Sequence, residues 1–115
     1  MPASTICPER IQIAPKTEIS RALTGLWQVA DIEKDGAIID PEKGAAHLQD
    51  YATAGFDTFD MADHYGSAEI IAGQLLKRGG DPRPTVLTKW CPPPGAMTAD
   101  VVRAGVHKRL ERLGV

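Results

Sequence analysis

The sequence predicts an α/β protein, a parallel sheet with helices packed against it, and three observations point there. Short apolar runs rich in strand formers alternate with helical stripes. Three such strand–helix units follow one another about thirty residues apart, which leaves room for the crossover of a dozen or more residues that joins parallel strands. The ionisable residues gather where strands give way to helices, the end at which parallel α/β folds carry their chemistry.

Residues 1–18 form an N-terminal segment. The stretch "RIQIAPKTEISR" is expected to fold into a small hairpin turning at residues 15–18, a cover that stands outside the repeat. Residues 19–115 hold the repeat itself. Residues 19–27, "ISRALTGLW", read as its first strand, followed by a loop containing "EKDG". Asp40 then caps a helix with Pro41 at its first position, and Ala45, Leu48 and Ala52 give that helix one apolar face. Gly55 stops it, as a glycine just past a helix end does. "FDTFDM" reads as the second strand. Ser67 caps a second helix with the stripe Ala68, Ile71, Ala72, Leu75 and Leu76, which "RGGDPRP" breaks. "TVLTKW" is the third strand and "CPPPGAM" a stiff loop whose prolines remove backbone donors. Thr98 caps the third helix, with Val102, Val106, Leu110 and Leu113 along one side.

Composition removes several classes of function. With 115 residues, 43% of them hydrophobic and 24% charged, the chain suits one small globular domain or part of a larger one. The net charge of −2, with Lys and Arg scattered, leaves no footprint for nucleic acid. A small uncharged or anionic partner is the better expectation. Cys7 and Cys91 lie far apart, without C-x-x-C spacing or histidines in ligand register, so neither a zinc site nor a disulfide framework is expected. Reduced thiols in a cytoplasmic protein are the plain reading. No signal peptide and no run long enough to span a membrane are seen.

Two closures of such a sheet are open at this point: a doubly wound open sheet, or a closed eight-stranded barrel. The lack of G-x-G-x-x-G after the first strand weakens the dinucleotide-binding form of the open sheet. Both closures bring the same residues together. Asp60 ends the second strand, Tyr65 lies five residues on in its loop, and Lys89 ends the third strand. A lysine withdrawn from water needs an anion, and Asp60 supplies one. Lys89 held cationic would favour the phenolate of Tyr65, so the phenol could give its proton to an oxygen on which negative charge is developing. Reduction of a carbonyl creates such an oxygen.

Taken singly, each residue has a plain alternative. Asp60 could cap a strand end, Lys89 could be a solvated strand end, and Tyr65 could be a packed aromatic. His47 and His107 fall on helix surfaces. The grouping, in order and at the mouths of consecutive strands, is what speaks for a site.

At these residues the sequence resembles the aldo-keto reductases. The second strand and its loop, "FDMADHYGSAE", carry the family's Asp60, Ala62, Tyr65, Gly66 and Glu69. "VLTKW" resembles the end of its third strand with Lys89, and "LTGLWQ" its first strand and loop with Gly25 and Trp27. "VVRAGVHKRLERLGV" is similar to the helix leading to its fourth strand. The resemblance covers residues 19–115 and implies the N-terminal portion of a (β/α)8 TIM barrel. It also implies NADP(H) as hydride carrier and an aldehyde or ketone as substrate. It gives Tyr65 the role of general acid, has Lys89 assist it, and has Asp60 pair with Lys89 and touch the cofactor ribose. Gly25 and Trp27 would lie by the nicotinamide, and Trp27, His64 and Trp90 would line the substrate pocket. No metal is implied.

The family's fourth catalytic residue, a histidine after the fourth strand, would follow Val115, as would the main cofactor loops. Inactivity of these 115 residues on their own is therefore the expectation, as is self-association through open sheet edges. The alternative is a non-catalytic cofactor-binding or regulatory barrel subunit, or a half-barrel that acts only in an assembly.

Overall fold

The structure, a computed structural model, describes residues 7–29, 39–80 and 83–115. The expected "EKDG" loop and part of "RGGDPRP" lie outside those residues. In chain order the elements are β1 (Arg10–Ala14), β2 (Thr17–Ser20), β3 (Thr24–Gly25), α1 (Pro41–Thr53), β4 (Thr58–Asp60), α2 (Ala68–Arg78), β5 (Thr85–Leu87) and α3 (Ala99–Leu113). β1 and β2 form an antiparallel hairpin. The other three strands make a parallel sheet in the order β3-β4-β5, with Gly25 opposite Asp60 and Asp60 opposite Leu87. It is a stretch of parallel sheet with its helices, and the barrel is not closed.

Each helix begins for a local reason. The Asp40 side chain accepts the amide of Glu42 at 3.0 Å, and Pro41 follows where its missing N–H costs nothing. Thr98 Oγ1 accepts the amide of Val101 at 3.2 Å. Ser67 occupies the same position before α2 but does not make the corresponding bond to the helix amides. α1 ends at Ala54, and Gly55 takes a φ of 99° that a side chain would resist.

Alternation along β4 divides its side chains between two faces. Phe59 and Met61 face the helices, where they meet Leu26, Ala45, Leu48, Ala52, Ala68, Ile71, Ala72 and Leu75 in one buried cluster. Thr58 and Asp60 point the other way. The hairpin closes over the start of β4: the Ser20 amide donates to Thr58 Oγ1 at 3.1 Å. Arg10 clamps the buried Asp57 through both terminal nitrogens, at 3.0 and 3.1 Å. The sheet is thus plugged at the strands' N-terminal end and left open at the end where Asp60 emerges.

Two expectations are corrected. Residues 19–27 are not one strand: Ile19 and Ser20 finish β2, and only Thr24–Gly25 pairs with β4. The Ser20 hydroxyl explains the break, since it donates to the Ala22 carbonyl at 2.8 Å and accepts the Ala22 amide at 3.2 Å. That local loop turns the backbone out of the ladder. On α3, Val102, Val106, Leu110 and Leu113 were expected to share one side, yet the first three are 39% to 45% exposed and only Leu113 is buried. α3 instead packs through Gly105 and Leu113, because the Trp90 indole lies on Gly105 and the turn at Leu113 abuts Gly73.

Candidate active site

Pairing of β4 with β5 continues past the strands themselves. The Met61 amide donates to the Leu87 carbonyl and the Asp63 amide to the Lys89 carbonyl, each at 2.9 Å. This extended register sets Asp60 and Lys89 side by side. Lys89 Nζ lies 2.9 and 3.0 Å from the two Asp60 carboxylate oxygens and donates to the Met61 carbonyl at 2.7 Å. Both side chains are close to half exposed, so solvent reaches the pair.

Tyr65 lies beside Lys89 of this pair. A tight turn brings it back, with its amide donating to the Ala62 carbonyl at 3.2 Å and Gly66 turning at a φ of 51°. Its half-buried ring packs on the core and lies 5.7 Å from Lys89 Nζ, a cation–π distance. The structure therefore groups Asp60, Tyr65 and Lys89, with the ammonium over the tyrosine ring. Trp27 meets Tyr65 edge to face at 4.8 Å, and His64 does so at 4.9 Å. Gly25, at the end of β3, has open space on the side where a Cβ would point. Trp90, expected at the pocket wall, lies elsewhere. It follows Lys89 directly and turns the opposite way, its indole against Gly105 of α3.

Beneath the mouth runs a network of which the sequence motif marked only Glu69. Glu69 is fully buried, and its carboxylate faces two arginines of α3, with Arg109 Nε and Arg112 Nε each 2.9 Å from Oε1. Arg112 is aligned for a hydrogen bond, whereas Arg109 lies off its N–H direction and contributes as a charge. Thr88, next to Lys89, donates to the other Glu69 oxygen at 2.8 Å, and Arg112 donates to the Gly66 carbonyl at 2.7 Å. Asp63 accepts the Cys91 amide at 2.9 Å and Arg109 at 3.3 Å. Burial pushes the Asp63 carboxyl up, but the Cys91 amide, the His64 ring and the Arg109 charge outweigh it and hold the group below its ordinary range. The network fastens the Tyr65 loop and the Lys89 strand end to one helix. Besides Glu69 in the motif, the Arg109 and Arg112 spacing on α3 was a sequence signal for it, since residues three apart share a helix face.

Known proteins share this sequence pattern and fold. Residues 23–115 match the family described as the aldo/keto reductase family. A 6-dehydroglucose reductase from Agrobacterium fabrum is 36% identical over 75 residues, which is 60% of this chain and 23% of that protein. Two solved structures assigned to the aldo-keto reductases, both from Pseudomonas aeruginosa, share its fold with a TM-score of 0.72 at 19% and 20% identity. They match over 100% of this chain but only 48% and 46% of their own length. The chain thus spans about a quarter of the curated relative and about half of the solved structures.

Proposed function

The chain belongs to the aldo/keto reductase family, and from that premise we propose that it is part of an NADP(H)-dependent oxidoreductase that reduces an aldehyde or ketone. The observation that supports this most is the Asp60–Lys89 pair with its ammonium against the Tyr65 ring, at the open end of two neighbouring parallel strands. The residues present fit the nicotinamide and ribose end of such a cofactor. Gly25 leaves room for a flat ring, Trp27 offers an exposed aromatic wall, and the half-exposed Asp60 carboxylate can accept from a ribose hydroxyl. When bound, the cofactor supplies the hydride.

The chain's own residues manage the proton and the charge. Tyr65 donates its phenolic proton to the substrate oxygen as negative charge grows there. The Lys89 ammonium, fixed by Asp60 and the Met61 carbonyl, stabilises that charge from a position set in advance. Trp27 and His64 wall the mouth beside the phenol, where they can hold an apolar carbonyl compound and narrow its approach.

Tyr65→Phe tests this reading in the protein as the cell makes it, with NADPH oxidation followed against a panel of aldehydes and ketones. Turnover should fall by about 10² to 10⁴ with cofactor affinity retained. Unchanged turnover would remove Tyr65 from the proton-donating role. A protein whose only measurable property is cofactor binding, the same in both forms, would be a regulatory subunit.

A further inference from the structure

We propose that Asp63, His64 and Cys91 form a Zn²⁺ site at the rim of the mouth. Linear spacing concealed it, because Cys91 sits 27 positions beyond His64. The fold brings them together: one ligand atom from each side chain, a carboxylate oxygen, an imidazole nitrogen and the thiol sulfur, all lie within 4.8 Å of one another. Around a tetrahedral Zn²⁺, with bonds of about 2.0 Å to nitrogen or oxygen and about 2.3 Å to sulfur, these ligand atoms stand about 3.3 to 3.5 Å apart. His64 Nδ1 and Asp63 Oδ1 are already at 3.1 Å. Cys91 is exposed and His64 is 55% exposed, so modest side-chain rotations close the set.

The surroundings suit a bound cation. Asp63 is only 12% exposed, and its Oδ2 is held by the Cys91 amide and by Arg109. Oδ1 meets His64 Nδ1 at 3.1 Å, a hydrogen bond that a cation held between the two atoms would replace. Hydrogen bonds to the far side of a ligating carboxylate are the usual means by which a protein aims it. The Cys91 amide contact also anchors the thiol's own backbone to the carboxylate it would share the ion with. A thiolate and the Asp63 carboxylate supply the anionic ligands, while Glu69 is shared between Arg109 and Arg112. A mixed set of sulfur, imidazole and carboxylate, open to solvent at a fourth position, favours Zn²⁺ over the hard ions Mg²⁺ and Ca²⁺.

The test needs no enzymatic activity, so it stands apart from the reductase reading. Zn²⁺ is titrated into the tag-free chain in competition with a chromophoric chelator, and Cys91→Ser, His64→Ala and Cys7→Ser are compared with wild type. All three positions lie at the exposed surface or rim, where substitution leaves the core intact. One Zn²⁺ per chain is expected, with affinity lowered by at least about tenfold in Cys91→Ser and in His64→Ala and unchanged in Cys7→Ser. Failure of the wild type to bind, or full affinity in either Cys91→Ser or His64→Ala, overturns the proposal.

Discussion

Glu69 is the residue on which most of the local structure converges. Its carboxylate, wholly withdrawn from water, holds Arg109, Arg112 and Thr88, and through them both the loop bearing Tyr65 and the strand end bearing Lys89. Removing one member of a buried ion network leaves the others charged and unmatched, at a cost of about 3 to 5 kcal/mol. Glu69→Gln, nearly equal in volume, is expected to lower stability by that order in urea unfolding, and loss below about 1 kcal/mol would show that water already screens the arginines. Asp63 gives a pH-dependent counterpart. Its folded-state carboxyl lies below the ordinary 3.8, so the stability it contributes is fully present above that value and drains away as pH falls through the folded one. Asp63→Asn should therefore cost about 1 to 3 kcal/mol at neutral pH, and its deficit against wild type should shrink as pH drops below 3.8. A deficit that stays constant down to pH 2 would assign the loss to packing instead.

Elements are joined by contacts that leave no room for a methyl group. A Cβ on Gly105 would stand 2.3 Å from the Trp90 indole, and one on Gly73 would stand 2.7 Å from the Leu113 carbonyl. Gly105→Ala must push Trp90 off α3, and a destabilisation of about 1 to 3 kcal/mol is expected, with a shift in tryptophan emission as the ring becomes wetter. Unchanged emission and melting would mean that α3 pivots freely. These contacts also show where sequence reading succeeds and where it stops. The three helices and two of the three strand positions of the repeat were legible, because Asp40 with Pro41, Thr98, and the stripes of α1 and α2 are local signals. So were Asp60, Tyr65 and Lys89 as neighbours, since strand ends in a parallel sheet come together. The division of residues 19–27 was not, because it depends on a bond that Ser20 makes to Ala22 in three dimensions. The outward face of α3 was missed for a related reason. Periodicity marks an apolar stripe but does not say whether a partner covers it, and here Gly105, Leu113 and the two arginines make the inner contact.

At the scale of the whole molecule, shape and surface lead to one consequence. The radius of gyration is 15.6 Å, against about 13 Å for a compact domain of this length, and the extents of 60 × 39 × 21 Å describe a slab. Such a layer has two broad faces to protect. Among the described residues, β3 and β5 each pair on one side only, with β4 between them. Val101, Val102, Val106 and Leu110 crowd the outer side of α3, while Ile11 and Ile13 stand on the hairpin, all of them 39% to 53% exposed. The strand edges are two and three residues long, too short to template much pairing, so the helix stripe is the stronger source of association. Sedimentation velocity of the chain is therefore expected to show association that grows with concentration. Val106→Glu combined with Leu110→Glu places two charges in the stripe without touching the buried Gly105 and Leu113, and should shift the population toward monomer while leaving the circular dichroism spectrum as it was. A wild type that stays monomeric at high concentration would show that the stripe is not adhesive. A double variant that associates as strongly as wild type would move the cause to the open edges of β3 and β5.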